Sequence, residues 1–335
     1  MKFKKYLIND EIINYSHPAV QALSKELAVD CTDEEQIVKN CFTYVRDEIR
    51  HSGDHKDNLM AVSASNVLKN KSGWCYSKAI LLCALLRANK IPAGLLYQRL
   101  GCGEYKDNTY SLHGLNSVYL EKYGWIKIDA RGNKEGVDAQ FIPPEEKLAF
   151  ELEEGEFNLA GNYNKPFGDV LKALKTHKAY KDMSKNLPDL NQFICEITKK
   201  DAEALSALSG SLLKSIFTVE VPEWFKESFT VEEFENSIAS SEYKYYGYVI
   251  KNKIAGYIAI KDGNHLYNLF VDEKHQRNGI AKKLWKYMKS NTNFDVMTTN
   301  ASFNAIAAYK SFGFKISADV QTKEELKYQP MVFKR

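Results

Sequence analysis

Cys75, His113 and Asp129 are the residue types that acyl transfer through a thiol requires: a nucleophile, a base that takes and returns its proton, and a group that holds the base. Cys75 stands directly before the apolar run Tyr76 to Ala88. A cysteine there meets the unpaired N–H groups and the positive dipole end of a helix, which favour thiolate over thiol. Gly73 lets the chain turn sharply into that helix. His113 opens the first strand of an expected hairpin and Asp129 closes the second, with Glu121-Lys122-Tyr123-Gly124 as the turn. Antiparallel pairing brings these ends within about two rungs of each other. Asp129 then orients the His113 ring and leaves its other nitrogen for Cys75. A lone buried cysteine before a helix is usually a small core hydrophobe. Three such residues in chain order, with a hairpin to join two of them, point to an enzyme.

A second pattern is suited to an anion. Asn268-Leu269-Phe270-Val271 ends a strand, and Gln276-Arg277-Asn278-Gly279-Ile280-Ala281 leads into a helix from Lys282 to Met288. Small residues at Gly279 and Ala281 let backbone N–H groups approach an anion at the helix N-terminus. Neither Gly-Lys-Ser/Thr nor G-x-G-x-x-G is present, so a nucleotide P-loop and a dinucleotide fold are unsupported.

The elements that must position these residues fall in two halves. At 335 residues, two domains are expected. Helices are predicted between Pro18 and Arg50, with a start at Thr32-Asp33-Glu34-Glu35, then a short one at Ser63-Ala64-Ser65 and the Cys75 helix. Strands follow at Leu95 to Leu100, Leu115 to Leu120 and Trp125 to Asp129, with a polar loop from Gly101 to Tyr110. Leu187-Pro188-Asp189 reads as punctuation, giving domains 1–189 and 190–335. Beyond it come a strand at Phe193 to Ile197, a helix from Asp201 to Leu213, three strands between Tyr246 and Val271, and a helix from Ala281 to Ser290. A strand at Asp295 to Thr299, a helix at Ser302 to Phe312 and a strand near Gln329 to Phe333 complete a mixed sheet.

Composition narrows the partners. Forty-six Lys+Arg against 43 Asp+Glu leave a net charge of +3, which argues against nucleic acid. The Lys-rich stretch from Lys165 to Lys185 is broken by Asp169 and Asp182 and reads as solvated helix faces. The six cysteines (Cys31, Cys41, Cys75, Cys83, Cys102, Cys195) show no C-x-x-C, against both a disulfide framework and a zinc site. The basic start reaches Asn9-Asp10-Glu11 before a signal-length apolar core develops. No apolar run approaches the ~20 residues of a membrane span. A cytoplasmic protein without metal or membrane partner is expected.

Gly73-Trp74-Cys75, Lys78-Ala79, Leu85-Leu86-Arg87-Ala88, Ile91-Pro92-Ala93, His113-Gly114 and Gly124-Trp125-Ile126-Lys127-Ile128-Asp129 resemble the core of the transglutaminase-like superfamily. Val45-Arg46-Asp47-Glu48-Ile49 and Ser63 to Leu68 match its bacterial members, and the resemblance spans residues 15 to 180. It implies a papain-like α+β fold and a Cys75, His113, Asp129 triad working through a thioester. The family holds cross-linkers, proteases, amidases and inactive members, so no substrate carries over. The backbone N–H of Cys75 is the candidate oxyanion donor.

Gln276-x-x-Gly279-x-Ala281 after Leu269-Phe270-Val271-Asp272, with Asn300-Ala301-Ser302, Ala305-Ile306, Tyr309 and Gly313-Phe314 downstream, resembles the GNAT acetyltransferase superfamily over residues 192 to 335. The resemblance implies a mixed α/β domain and acetyl-CoA as acetyl donor. Leu269, Phe270 and Val271 would line the pantetheine arm, with backbone bonds from Leu269 and Val271. Gln276, Arg277, Asn278, Gly279, Ile280 and Ala281 would hold the pyrophosphate, and Asn300 and Ser302 belong to the same site. Tyr309 would protonate the departing thiolate. The usual strand glutamate is not evident near Leu266 to Val271; His265 or a water is the remaining base.

The chain therefore reads as a fusion of a thioester-forming amidase, protease or transamidase with an N-acetyltransferase acting on an amine. Its substrate would be an amine- or amide-bearing peptide or small molecule. The alternative is an acetyltransferase whose N-terminal half binds substrate without chemistry.

Overall fold

The computed structural model describes residues 3–102, 109–216 and 221–335. Most of the expected loop between Gly101 and Tyr110 lies outside them. The chain forms two compact units, Met1–Leu190 and Asn191–Arg335.

In the first unit, α1 (Pro18–Ala28) and α2 (Glu34–Glu48) lead to a two-residue strand β1 (Arg50–His51) and a single turn α3 (Ser52–His55). Asp33 caps α2, its carboxylate accepting the Gln36 N–H at 2.9 Å. Then come α4 (Ala64–Asn70), the short strand β2 (Ser72–Gly73) and α5 (Cys75–Ala88). Residues Cys75 to Arg87 of α5 are all buried, as expected of a helix apolar on every face.

Strands β3 (Ala93–Gly101), β4 (Tyr110–Leu120) and β5 (Gly124–Ile128) form an antiparallel sheet. The ribbon of β6 (Gln140–Ile142) and β7 (Glu145–Lys147) follows, and β8 (Phe157–Asn158) adds to the free side of β3. Helices α6 (Gly168–Thr176) and α7 (Tyr180–Met183) complete the unit.

Buried polar groups fasten α5 to this sheet. Asn116 on β4 donates to the carbonyls of Ala79 and Gly94 at 2.9 and 3.1 Å. The buried Arg87 guanidinium donates to the carbonyls of Ala93, Ile8 and Asn164. A methyl group at Gly114 would lie 3.0 Å from the Tyr76 Cα, so only glycine lets β4 run this close to the start of α5.

The second unit starts with β9 (Gln192–Glu196), α8 (Ala202–Ile216), α9 (Glu223–Glu227) and α10 (Val231–Ala239). Strands β10 (Tyr243–Ile250), β11 (Lys253–Lys261) and β12 (His265–Val271) then lead to α11 (Ile280–Asn291), β13 (Val296–Ala301) and α12 (Ile306–Ser311). The unit ends with β14 (Lys315–Ile316), β15 (Gln321–Lys323) and β16 (Leu326–Lys334). The sheet order is β14-β16-β13-β12-β11-β10-β9, with β15 on β16, and only the β12–β13 pair is parallel. Leu284, Trp285 and Met288 of α11 pack on Tyr248, Ile258 and Met297 of the sheet.

Helices α9 and α10 fill a stretch to which the sequence patterning assigns no element. In α10 only Phe234 and Ser237 are buried, so its apolar stripe is too sparse to register as a period.

Candidate active sites

Cys75 is the first residue of α5, and its N-cap Trp74 supplies no side-chain cap. Beside it, β4 carries His113 and the end of β5 leads into Asp129. The rung Asn116↔Ile128 sets the register that brings those two together. His113 Nε2 lies 2.8 Å from Asp129 Oδ2, leaving Nδ1 as the ring nitrogen for the sulfur. Asp129 is fully buried, and the N–H groups of Arg131 and Ala149 donate to its oxygens at 3.1 and 3.2 Å. The Gly114 N–H donates to the Cys75 sulfur at 3.4 Å. Phe150 stands edge-on to the His113 ring, with centroids 5.1 Å apart.

Charge follows from this packing. Burial pushes the Cys75 thiol up, but His113 and then His51 outweigh it and bring the thiol down to about 6. Burial works against a charged His113, yet Asp129 and the facing sulfur raise it to about 10. Burial also pushes the Asp129 carboxyl up; His113 and the two backbone donors hold it below the usual carboxylate range. A thiolate beside an imidazolium backed by a carboxylate is a charge arrangement competent for nucleophilic attack.

Three further residues beside Cys75 (His51, Asp54 and Arg131) are not singled out by the sequence, and Lys78, quoted there only within a motif, has no role assigned to it. His51 and Asp54 sit either side of the turn into α3, with His51 Nδ1 3.5 Å from Asp54 Oδ2. Arg131 grips Asp54 through both terminal nitrogens at 2.7 and 2.9 Å. Lys78, one turn along α5, is buried and donates to the Arg46 carbonyl at 3.2 Å and to the Ile49 carbonyl. Burial, reinforced by Arg131, brings its ammonium down to about 7. The signal for His51 is weak because its approach depends on two-residue strands pairing Arg50↔Ser72 and His51↔Gly73.

In the second unit, β12 and β13 share a single rung, His265↔Thr298. Leu269, Phe270 and Val271 pair with Ile258, Tyr257 and Gly256 of β11, so beyond that rung their other edge has no strand partner among the described residues. The Gln276 amide donates to the Val271 carbonyl at 3.0 Å, tying the strand end to the turn before α11. In that turn Arg277 and Gly279 have φ of 62° and 76°. A methyl at Gly279 would meet nothing within 4 Å, and no side chain caps α11. Asn278 lies in the same turn, while Ile280 and Ala281 open the helix. An open, uncapped helix start behind a left-handed turn fits an anionic pyrophosphate.

Asn300 lies on β13 opposite Pro330, and Ser302 precedes the turn into α12. Tyr309 is buried on α12 beside the Thr299 hydroxyl, and burial pushes its phenol up to about 12. His265 Nδ1 lies 2.8 Å from the Thr298 hydroxyl.

Residues 21–130 match the family model of the transglutaminase-like superfamily, and residues 207–335 match that of the acetyltransferase (GNAT) domain. The chain joins a transglutaminase-like domain to a GNAT domain, in that order. No curated protein matches it. Among solved structures it is similar to the PaiA N-acetyltransferase of Thermoplasma acidophilum in complex with coenzyme A, at 19% identity and a TM-score of 0.38, covering 44% of this chain and 100% of that one. A spermidine N-acetyltransferase SpeG chimera from Vibrio cholerae gives 15% identity and a TM-score of 0.35, over 43% of this chain and 96% of that one. A candidate cysteine protease from Cytophaga hutchinsonii gives 21% identity and a TM-score of 0.32, over 39% of this chain; the chain spans 42% of that protein. Among the described residues no helix is long and apolar enough to cross a membrane, and no cluster of three or more His, Cys, Asp or Glu is placed to hold a metal ion.

Proposed function

We propose that the transglutaminase-like domain cleaves or exchanges an amide through a thioester on Cys75, and that the GNAT domain transfers acetyl from acetyl-CoA to an amine. The observation that carries the first half is the His113 Nε2–Asp129 Oδ2 bond of 2.8 Å behind a buried cysteine whose thiolate is favoured. The Cys75 thiolate attacks the amide carbonyl, forming the C–S bond. The C–N bond breaks as His113 gives its proton to the leaving amine. Water or a second amine then resolves the thioester and returns a proton to His113. The backbone N–H of Cys75, at the head of α5, faces the oxyanion in this scheme.

In the second domain acetyl-CoA, when bound, supplies the acetyl thioester. Residues Gln276 to Ala281 are suited to its pyrophosphate, and the open edge of Leu269 to Val271, with Asn300 on β13 and Ser302 just beyond it, to its arm. The Tyr309 phenol, protonated at neutral pH, donates a proton to the departing thiolate. The acceptor is an amine of a peptide or small molecule, and we assign both domains to one substrate class: an amide opened by the first domain exposes an amine that the second caps.

The rival reading makes the first domain a binding module, favoured by the near-complete burial of Cys75, which is 7% exposed. The whole chain, treated with p-nitrophenyl acetate and acid-quenched, decides between them. We expect an acetyl adduct on the Cys75 peptide that is lost in His113→Ala; no adduct in wild type supports the module. Release of CoA thiol from acetyl-CoA in a panel of primary amines tests the second domain. A Cys75→Ala chain that acetylates every acceptor as wild type does, with no shared substrate, removes the coupling.

A further inference from the structure

We propose that His51 is a second imidazole working on Cys75, donating an N–H to the sulfur and fixed in place by Asp54 and Arg131. The inference rests on the thioester reading and extends it to a residue outside the triad. Parallel pairing of β1 with β2 sets His51 opposite Gly73, two residues before the nucleophile. From there its ring stands edge-on to Trp74, the residue before the nucleophile, with centroids 5.8 Å apart. The ring has little freedom: it is 9% exposed, and a methyl at Gly53 would lie 2.9 Å from its Cε1 and 3.2 Å from Trp74.

The contacts of Nδ1 leave Nε2 toward the sulfur. The Asp54 backbone N–H lies 3.3 Å from His51 Nδ1, and the neutral ring that accepts this bond carries its proton on Nε2. Nε2–H is then the donor left for the sulfur. Asp54 is itself held by Arg131 and by Lys134 Nζ at 2.8 Å. His51, Arg131 and Lys134 together hold its carboxyl well below the usual range in spite of burial. The other titratable groups around the sulfur are His113 from β4 and the buried phenols of Tyr76 and Tyr97, and neither phenol ionises at neutral pH.

The two imidazoles have different tasks. His113, backed by Asp129, exchanges the proton with the substrate. His51 donates its N–H to the sulfur before substrate arrives.

The test is the pH dependence of iodoacetamide alkylation in the full chain, read on the Cys75 peptide so that other cysteines do not contribute. His51→Ala is expected to raise the apparent thiol pKa by about one unit, a tenfold drop in the rate below the wild-type inflection. His51→Gln, which keeps an N–H donor, is expected to recover most of it. Asp54→Asn is expected to shift the profile in the same direction as His51→Ala. A wild-type profile in folded His51→Ala and His51→Gln chains overturns the proposal and leaves the triad standing. A wild-type thiol titrating near the free value of about 8.5 overturns both.

Discussion

Arg131 and Asp54 are joined by a two-pronged ion pair, Nη1 to Oδ2 at 2.7 Å and Nη2 to Oδ1 at 2.9 Å, while the backbone N–H of the same arginine donates to Asp129 at 3.1 Å. One residue thus braces the carboxylates behind both imidazoles that face Cys75. The guanidinium fork cannot be reproduced by an ammonium. Arg131→Lys is expected to keep the Asp129 contact, which is backbone, and to loosen Asp54. Urea unfolding should show a loss of about 1–3 kcal/mol, and the Cys75 alkylation profile should move to higher pH. An unchanged profile would mean that the brace on Asp54 has no part in holding the thiolate.

Gly114→Ala tests how closely β4 must approach the nucleophile. The added methyl would meet the Tyr76 Cα at 3.0 Å and its N at 3.2 Å, which are backbone atoms that cannot swing away. Overpacking of this kind costs about 1–3 kcal/mol. It also moves the Gly114 N–H off the Cys75 sulfur. We expect a lower melting temperature together with slower alkylation of Cys75. A stable variant of undiminished reactivity would show that the strand can retreat freely.

Lys78 gives a stability prediction with a definite sign. Its folded pKa is depressed to about 7, and its unfolded value is about 10.4. Between those values the unfolded chain binds the extra proton, so this group makes stability rise with pH from about 7 upward until it levels off near 10.4. Below about 7 both forms are protonated and its contribution no longer changes. Lys78→Met should remove that slope while lowering stability overall, because two carbonyls at the end of α2 lose their donor. Denaturant midpoints of the two chains at several pH values between about 7 and 9 measure the difference. Parallel pH profiles would contradict the neutral-amine assignment.

Tyr309→Phe separates proton donation from binding in the second domain. The phenol is buried beside Thr299, and removing only its oxygen keeps the packing against Phe312 and Phe314. We expect kcat for acetyl transfer to fall about 10²-fold or more, with the KM for acetyl-CoA and the thermal shift it produces little changed. Loss of the thermal shift with kcat retained would place Tyr309 in binding instead.

Much of this architecture is legible in the residue pattern, for physical reasons that differ by element. The Cys75 helix shows because apolar residues run unbroken from Ile80 to Leu86 around two charged groups that bury by bonding to carbonyls. The His113–Asp129 hairpin shows because its turn fixes the register, and register alone sets the distance between strand ends. The His51–Asp54–Arg131 group does not show. Its parts lie some 80 positions apart in the chain and meet through two-residue strands with no period of their own. The opening between β12 and β13 is hidden for a related reason. Each strand is apparent in the sequence, but that they share one rung depends on how the surrounding sheet twists.

The account turns on Cys75 as a thiolate held by His113. Iodoacetamide alkylation of the Cys75 peptide in the intact chain, followed from about pH 5 to 9, tests it most directly. The rate should rise through an inflection near 6, where the depressed thiol gives up its proton, and fall away as pH drops below it. His113→Ala should carry the inflection upward by more than a unit. An inflection near the free-cysteine value of about 8.5 in the wild-type chain, or one indifferent to His113→Ala, would contradict the account.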